Sequence, residues 1–222
     1  LNAVSANVTV VARVMELLSR DFDFPPLRVV PPFVQDAGFL AAMEAVARPA
    51  IEAAGADHVL FSYHGIPERH VHTGDAQGRH CDALGCRERL HKENHSCYRA
   101  QAYWLTRTLA ERLGLGPEAH SIGFQSRMSG TPWMQPYTDV VIPELAKRGV
   151  KRLAVICPSF VADCLETLEE IAMRGRDDFL AAGGEELALV PSLNAHPAWV
   201  DATVALVTGT RSSVREPLEA GA

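Results

Sequence analysis

The sequence lacks three features that would place the chain in a membrane, on a secretory route or on nucleic acid. No run of about 18 or more apolar residues occurs, so no transmembrane helix is expected. Residues 1–5 form neither a basic segment nor an apolar signal core. Basic residues are also in deficit, with 21 Lys and Arg against 27 Asp and Glu, and the net charge of −6 argues against a nucleic-acid partner. These absences favour a globular protein.

Cysteine is scarce and odd in number, which argues against a disulfide framework. Of the 5 cysteines, Cys81, Cys86 and Cys97 lie close together in the sequence, whereas Cys157 and Cys164 belong to another segment. Without a secretion signal we expect a reducing compartment, where clustered thiols more often bind a metal or a cluster.

Short β-branched runs alternate with longer segments of helical apolar spacing. The predicted strands are residues 27–30, 58–63, 121–124, 152–156 and 187–190. The predicted helices are residues 8–19, 38–53, 98–113, 138–148, 162–182 and 197–208, with stops at Gly114 and at Gly183-Gly184. This alternation predicts a parallel sheet covered by helices, in which ligands bind beyond the carboxyl ends of the strands. Residues that follow the strands are therefore the candidates for a site.

The first candidate is His64, which leaves a predicted buried strand just before Gly65 and Pro67. A tight turn would place it at the mouth of a cleft, where an imidazole can accept and release protons near neutral pH. The alternative is a core histidine bonded to a loop carbonyl, which the local sequence alone favours.

The second candidate is an acidic row that follows the strand at residues 152–156. Asp163, Glu166 and Glu170 are spaced i, i+3, i+7, so their carboxylates share one stripe of a predicted helix. The row is either a solvated face or the lining of a cleft that relays protons or a divalent cation. We expect the opposite, apolar stripe to pack on the sheet: Val161, Leu165, Leu168 and Ala172.

The third candidate is the loop after the strand at residues 121–124. It holds Arg127, Trp133 and Tyr137 between Gly and Pro residues. An indole near a guanidinium suits a flat apolar ligand that carries carboxylates. The alternative is a tryptophan that only covers the core.

Together and in this order, these segments resemble the ferrochelatase family over roughly residues 8–207. The matching runs are Tyr63-His64-Gly65-Ile66-Pro67-Glu68-Arg69, Phe124-Gln125-Ser126-Arg127 with Pro132-Trp133, residues 160–171, Ala182-Gly183-Gly184 and Pro191-Ser192-Leu193-Asn194. The resemblance implies an enzyme, a lyase of haem biosynthesis, that inserts Fe²⁺ into protoporphyrin IX. It also implies a local π-type widening of the helix after residue 162, which no residue pattern indicates.

Site roles follow from the same resemblance. It implies that His64 accepts pyrrole protons, that Glu166 faces His64 across the porphyrin, and that both lie next to the entering Fe²⁺. Asp163 and Glu170 would extend an acidic route for protons or metal. The implied substrate-binding residues are Tyr63, Ser126, Arg127, Trp133, Tyr137 and Phe160.

Residues 73–97 resemble the cysteine-bearing insertion of some bacterial ferrochelatases. The resemblance makes a [2Fe–2S] cluster the expected cofactor, held by Cys81, Cys86 and Cys97. Such a cluster usually takes four thiolates, and the fourth ligand stays open among His80, His91, His95, a distant cysteine and a residue outside the chain. Zinc in a Cys₃His site, or no metal at all, also stays open.

The resemblance implies an α/β fold of two Rossmann-like, chelatase-type half-domains, each with a parallel sheet flanked by helices. Because the chain starts without Met and lacks the family's N-terminal segment, we expect a truncated first half-domain and an incomplete cleft wall. We predict this half-domain, with the insertion and a connecting helix, over residues 1–120 and the second over residues 121–222. A cytoplasmic location with peripheral membrane contact is expected. The alternatives are a chelatase for another tetrapyrrole or metal, and a non-catalytic haem or iron–sulfur sensor.

Overall fold

A computed structural model of the chain describes residues 1, 3–20, 23, 25–74, 85 and 87–209, and within these residues four strands form one sheet. The strands are β1 (His58–His64), β2 (His120–Gln125), β3 (Arg152–Ile156) and β4 (Glu186–Leu189). All neighbours are parallel, in the order β2-β1-β3-β4. The chain thus leaves central β1 for β2 on one side and then crosses to β3 on the other. Ligand sites of doubly wound sheets lie at such a reversal of strand order.

Helices cover both faces of this sheet. They are α1 (Val4–Leu18), α2 (Ala37–Ala54), α3 (Glu68–Gly74), α4 (Tyr98–Leu113), α5 (Thr138–Lys147), α6 (Leu165–Leu168), α7 (Arg176–Ala181) and α8 (Pro197–Thr208), with a 3₁₀ turn at Pro117–Ala119. A π-helix over Glu170–Gly175 joins the region of α6 to α7. Residues of α2 and α4 contribute to the core on one face, with Trp199 of α8 packed against it, and α5 and α7 contribute to the core on the other.

Alternating side chains of β1 divide the core into these two layers. Phe61 and Tyr63 belong to the layer under α2 and α4, and Leu60 belongs to the layer with Ile142 of α5 and Phe179 of α7. Successive residues of a strand point to opposite faces, so a continuous apolar run is what a sheet covered on both sides requires. Each such side chain, fully buried, contributes about 1.5–3 kcal/mol to folding.

The predicted α/β fold with a parallel sheet flanked by helices is confirmed. The four strands predicted from residue 58 onward match β1 to β4 to within a residue or two at each end, and two helices match residue for residue, at Tyr98–Leu113 and Pro197–Thr208. Gly114 ends α4 with a φ of 74° and Gly183 follows α7 with a φ of 102°, as expected of glycines at helix ends. Strands from both sides of residue 120 lie in this one sheet. The division into two half-domains stays a prediction.

Two predictions for individual elements are wrong. Residues 27–30 form no strand: Leu27 and Val29 are 39% and 48% exposed, and prolines 25, 26, 31 and 32 remove backbone donors on both sides. The helix predicted over residues 162–182 begins only at Leu165 and is interrupted by the π-helix.

No helix in the described part of the chain is long and apolar enough to cross a membrane.

Candidate functional site

The candidate site lies at the carboxyl end of the sheet. His64 ends β1, Gln125 ends β2 directly beside it, and Ser159 lies in the loop after β3. This is the edge that the strand order predicts for a ligand, because the connections from β1 and β3 diverge there. The structure therefore brings together the three segments that the sequence singled out separately.

Three hydrogen bonds hold His64. Its backbone N–H donates to Ser159 Oγ at 3.0 Å, and its carbonyl accepts from the Tyr98 hydroxyl at 2.7 Å. Its Nδ1 lies 2.6 Å from the carbonyl oxygen of Gly65. Because a carbonyl can only accept, Nδ1 carries the proton and donates, so Nε2 is the ring nitrogen that can accept a further proton. The ring is thus arranged as a base that acts through Nε2.

Two aromatic side chains flank the imidazole of His64. The ring centroid of Phe160 lies 6.1 Å from it and that of Trp133 lies 6.5 Å away. Gly65 permits this packing, since a Cβ there would meet Gln125 O at 3.0 Å and Trp133 Cε3 at 3.4 Å. The imidazole therefore has two aromatic side chains beside it, and such surfaces suit a flat ring system.

Glu166 lies on α6 close enough to His64 for their charges to interact. A hydrogen bond from the Cys164 thiol, its own backbone N–H and the charge of His64 lower the pKa of Glu166 below its ordinary value. The carboxylate is therefore ionised at neutral pH. That Glu166 faces His64 across a porphyrin stays a prediction, as do the catalytic roles of the two residues.

Asp163 lies before α6 and is fixed by the loop after β4. Its backbone N–H donates to Asn194 Oδ1 at 2.9 Å, and Asn194 Nδ2 donates back to its carboxylate at 2.7 Å. Burial acts to raise the pKa of Asp163, but hydrogen bonds from Asn194 and Ser192 outweigh it and hold the pKa below its usual value. The carboxylate thus serves as a fixed anion that ties two loops together.

Glu170 is bound from the other side of the site. Ser126 donates to it twice, from its backbone N–H at 2.7 Å and from its hydroxyl at 2.6 Å. The left-handed backbone of Ser126, with a φ of 63°, accompanies this double contact. Glu170 also borders a cavity of about 270 Å³ between the end of β2, α5 and the π-helix.

The expected arrangement of one acidic stripe opposite one apolar stripe is wrong. Asp163 precedes the helix, and the π-helix begins at Glu170, so the three acids do not follow one regular helix. Leu165 and Leu168, expected against the sheet, are 77% and 51% exposed. The buried residues of this segment are instead Thr167, Ile171, Gly175 and Phe179.

Of the remaining predicted substrate-binding residues, Arg127 is already engaged and Tyr63 lies elsewhere. The Arg127 guanidinium binds Asp139 at 2.7 Å and lies 4.2 Å from the ring centroid of Tyr137. Tyr63 is fully buried, and its hydroxyl bonds to Thr106 of α4 at 2.9 Å. The assignment of Tyr63 to substrate binding is therefore wrong, because it points into the core rather than into the cleft.

Residues for which the sequence predicted no role support the site. Ser159 and Tyr98 bind the backbone of His64, Cys164 binds Glu166, and Asn194 binds Asp163. Cys164 and Asn194 lie in runs that carry the family resemblance, which was the one indication of their importance. Tyr98 follows the insertion and had no such indication.

The predicted cluster site falls largely outside the described residues, since Cys81 and Cys86 lie there, as does His80. Cys97 is described and precedes α4 as its N-cap residue. Nδ1 of His91 binds Glu93 at 2.7 Å, and Nδ1 of His95 lies 2.7 Å from a backbone carbonyl. Among the described residues, no three His, Cys, Asp or Glu side chains come together as a metal site.

Comparison with known proteins gives one consistent result. The family model described as Ferrochelatase matches residues 2–211. Proteins named ferrochelatase from Opitutus terrae, Ectopseudomonas mendocina and Azotobacter vinelandii are 46%, 49% and 50% identical over 90%, 86% and 81% of this chain. The chain spans about half the length of these relatives, covering 58%, 55% and 54% of them.

Proposed function

The chain belongs to the ferrochelatase family, and from this premise we propose that its protein inserts Fe²⁺ into protoporphyrin IX to give haem. The observation that carries the proposal is the arrangement of His64. Its Nδ1 proton is committed to a backbone carbonyl, its Nε2 can accept a further proton, and Phe160 and Trp133 flank it. The ionised Glu166 lies on α6, in the segment that follows β3 at this end of the sheet.

The reaction requires a base, an anion and apolar walls in one cleft. The free porphyrin loses two pyrrole N–H protons and gains Fe²⁺, so charge balances when both protons leave as the metal enters. Nε2 of His64 accepts the two pyrrole protons one after the other and releases each to solvent, and transfer by a positioned side chain of this kind contributes about 10²–10⁴-fold to rate. Bending the ring to expose its lone pairs costs about 1–5 kcal/mol, supplied by binding energy along the apolar walls.

Carboxylates provide the polar side of the cleft. Glu166, ionised and only partly buried, offers oxygen ligands to the entering cation, and imidazole and carboxylate are both suitable donors for iron. Glu170, held by Ser126, stands next along the helix and extends this acidic surface toward the cavity. Asp163 shapes the route by fixing the loop before Glu166.

Recognition of the porphyrin carboxylates by Arg127 requires an exchange of partners. Asp139 occupies the guanidinium, which is 43% exposed. An exposed ion pair of this kind contributes little to stability, so a propionate can replace Asp139 at little cost.

The test compares two carboxylates of the same helical segment in the complete gene product. Glu166→Gln removes the anion near His64, and Glu169→Gln removes one whose side-chain partner among the described residues is Arg174, on the exposed side. We expect Fe²⁺ insertion to fall by about 10²-fold or more in Glu166→Gln while porphyrin binding persists, and Glu169→Gln to match the unsubstituted protein. Equal rates in all three proteins would contradict the proposal.

Binding without insertion by the unsubstituted protein would favour the haem sensor instead. Insertion of another metal, or into another tetrapyrrole, in preference to these substrates would favour the second chelatase alternative.

We further propose that Cys81, Cys86 and Cys97 hold a [2Fe–2S] cluster. One contact within the described residues supports this proposal. Cys97 precedes Tyr98, whose hydroxyl binds the carbonyl of His64, so the end of the insertion contacts the backbone of His64. Anaerobic purification with iron and sulfide analysis tests the cluster. Cys86→Ser is expected to remove its visible absorbance, and zinc in place of iron and sulfide, or no metal, would contradict it.

The cytoplasmic location and the peripheral membrane contact stay proposals. Cell fractionation tests both, with salt-sensitive recovery in the membrane fraction as the expected sign of peripheral contact.

A further inference from the structure

Gln125 is a buried amide between the two sides of the site. It is the last residue of β2, it pairs with His64 across the sheet, and it is 2% exposed. Neither the base nor the acidic row accounts for a polar side chain at this depth. Buried amides of this kind are retained only where their hydrogen bonds are satisfied.

The backbone of Gln125 supports the turn that holds His64. Its carbonyl accepts from the Gly65 N–H at 2.8 Å. The Gly65 carbonyl in turn receives the Nδ1 proton of His64. One short chain of hydrogen bonds therefore links Gln125 to the orientation of the imidazole.

The side chain of Gln125 supports the opposite wall. Its Nε2 donates to the backbone carbonyl of Glu166 at 2.6 Å. Its Oε1 accepts from the Ser62 hydroxyl at 2.7 Å and from the Cys157 thiol at 3.6 Å. Ser62 lies 2.8 Å from Thr138 Oγ1, and because its own proton goes to Gln125 it accepts from Thr138.

These partners permit only one orientation of the amide. Rotated by half a turn, it would place its oxygen 2.6 Å from the Glu166 carbonyl oxygen, where neither atom has a proton to donate. An amide that receives two donors at its oxygen and meets a carbonyl at its nitrogen is fixed by these contacts. The side chain is thus a rigid strut.

The Gln125 side chain contacts the segment after β3 at a place where this segment has little regular helix. The segment α6 has only 4 residues, and the π-helix begins soon after it. Such a short helix supplies few hydrogen bonds of its own to fix Glu166. The hydrogen bond from Gln125 in the sheet to the Glu166 carbonyl therefore fixes the position of Glu166.

We propose that Gln125 is a positioning residue that fixes Glu166 relative to His64, and thereby sets the geometry of the metal-insertion site. The proposal rests on the proposed function for its kinetic consequence, but its geometric content stands on the contacts alone. Gln125 needs no contact with substrate, because it acts through the two residues that it holds.

The experiment uses Gln125→Met in the complete gene product, with Gln101→Met as the matched control. Gln101 is also 2% exposed and also donates from Nε2 to a backbone carbonyl at 2.6 Å, but its acceptor is His95 in the insertion. We expect kcat for Fe²⁺ insertion to fall about 10- to 100-fold in Gln125→Met, with the porphyrin KM changed less than about threefold. Gln101→Met keeps its kcat within about twofold even though both variants lose similar stability.

Crystal structures of the unsubstituted protein and of Gln125→Met provide a readout without turnover. A displacement of Glu166 relative to His64 by about 1 Å supports the proposal, since shifts of this size are enough to impair catalysis. An unchanged separation, equal losses of kcat in both variants, or an effect confined to KM would overturn it. If the unsubstituted protein does not insert iron, the proposed function fails and the structures alone decide on Gln125.

Should Gln125→Met fail to fold, Ser62→Ala takes its place, because it removes the hydroxyl that fixes Oε1. A fall in kcat of about threefold or more supports the strut, and an unchanged kcat overturns it.

Discussion

Replacing His64 with alanine removes the base while leaving the apolar walls in place. The imidazole makes one side-chain hydrogen bond, from Nδ1 to the Gly65 carbonyl, so its loss costs about 1 kcal/mol of folding free energy. The backbone contacts to Ser159 and Tyr98 do not depend on the side chain and remain. We therefore expect a folded protein whose porphyrin affinity changes little.

The expected loss lies in the chemical step. Removing a general base lowers the rate by about 10²–10⁴-fold, which corresponds to about 2.7–5.5 kcal/mol of activation free energy. The assay follows the loss of porphyrin fluorescence and the growth of haem absorbance in stopped flow under anaerobic conditions. Porphyrin affinity is measured separately by fluorescence quenching in the absence of metal.

The matched control is His120→Ala, at the opposite end of the sheet, where Nδ1 likewise binds a backbone carbonyl at 2.8 Å. We expect its kcat to stay near that of the unsubstituted protein. A His64→Ala protein that inserts iron within about threefold of normal would refute the assignment of the base. A loss of porphyrin binding without a change in kcat would instead make His64 a wall of the cleft.

Two further predictions concern the groups that hold the fold and the site. Burial lowers the pKa of His58, so the unfolded chain takes up the proton first, and stability should fall as pH drops through the ordinary value of 6.5 toward the lower folded pKa. The urea midpoint of the unsubstituted protein should therefore decline more steeply from pH 8 to 5.5 than that of His58→Gln. Parallel declines in the two proteins would show that His58 does not cause the pH dependence. Glycine suits the positive φ of 45° at position 194, so Asn194→Gly removes the hydrogen bonds to Asp163 without straining the backbone. We expect the pKa of Asp163 to rise toward or above its ordinary value and the free energy of unfolding to fall by about 1–2 kcal/mol. Carboxyl NMR titration and urea unfolding check both, and an unchanged pKa of Asp163 would contradict the account of its anion.

The strands and their ends could be predicted from the sequence because burial on both faces leaves a simple pattern. Phe61 and Leu60 serve opposite layers, so the apolar run is continuous, and His64 marks where it stops. The same rule would have excluded Tyr63 from the cleft. Neighbouring residues of a strand point to opposite faces, and Tyr63 and His64 are neighbours.

The helix after β3 could not be predicted from periodicity. The segment contains a widened turn at Glu170–Gly175, and it buries Thr167 and Ile171 while leaving Leu168 exposed. Regular helical spacing applied to this segment therefore predicts the wrong residues to be buried against the sheet. Only the family resemblance pointed to such a widening, and the structure contains it.

The contacts that hold the site together join distant parts of the sequence. Gln125 binds Ser62 and Glu166, which lie 63 and 41 positions away. The spacing of residues within one segment does not indicate contacts between segments that lie so far apart in the sequence. The contact with Ser62 follows from the parallel register of β1 and β2, and the contact with Glu166 follows from the position of β3 and α6 on the other side of β1.

The most direct test of the central claim is a single-turnover reaction of the complete gene product. Purified anaerobically and loaded with protoporphyrin IX, the protein is mixed with Fe²⁺ in weak buffer that contains a pH indicator. We expect haem to form at the rate at which porphyrin fluorescence disappears, with two protons released per haem. Tight porphyrin binding without haem or proton release would contradict it.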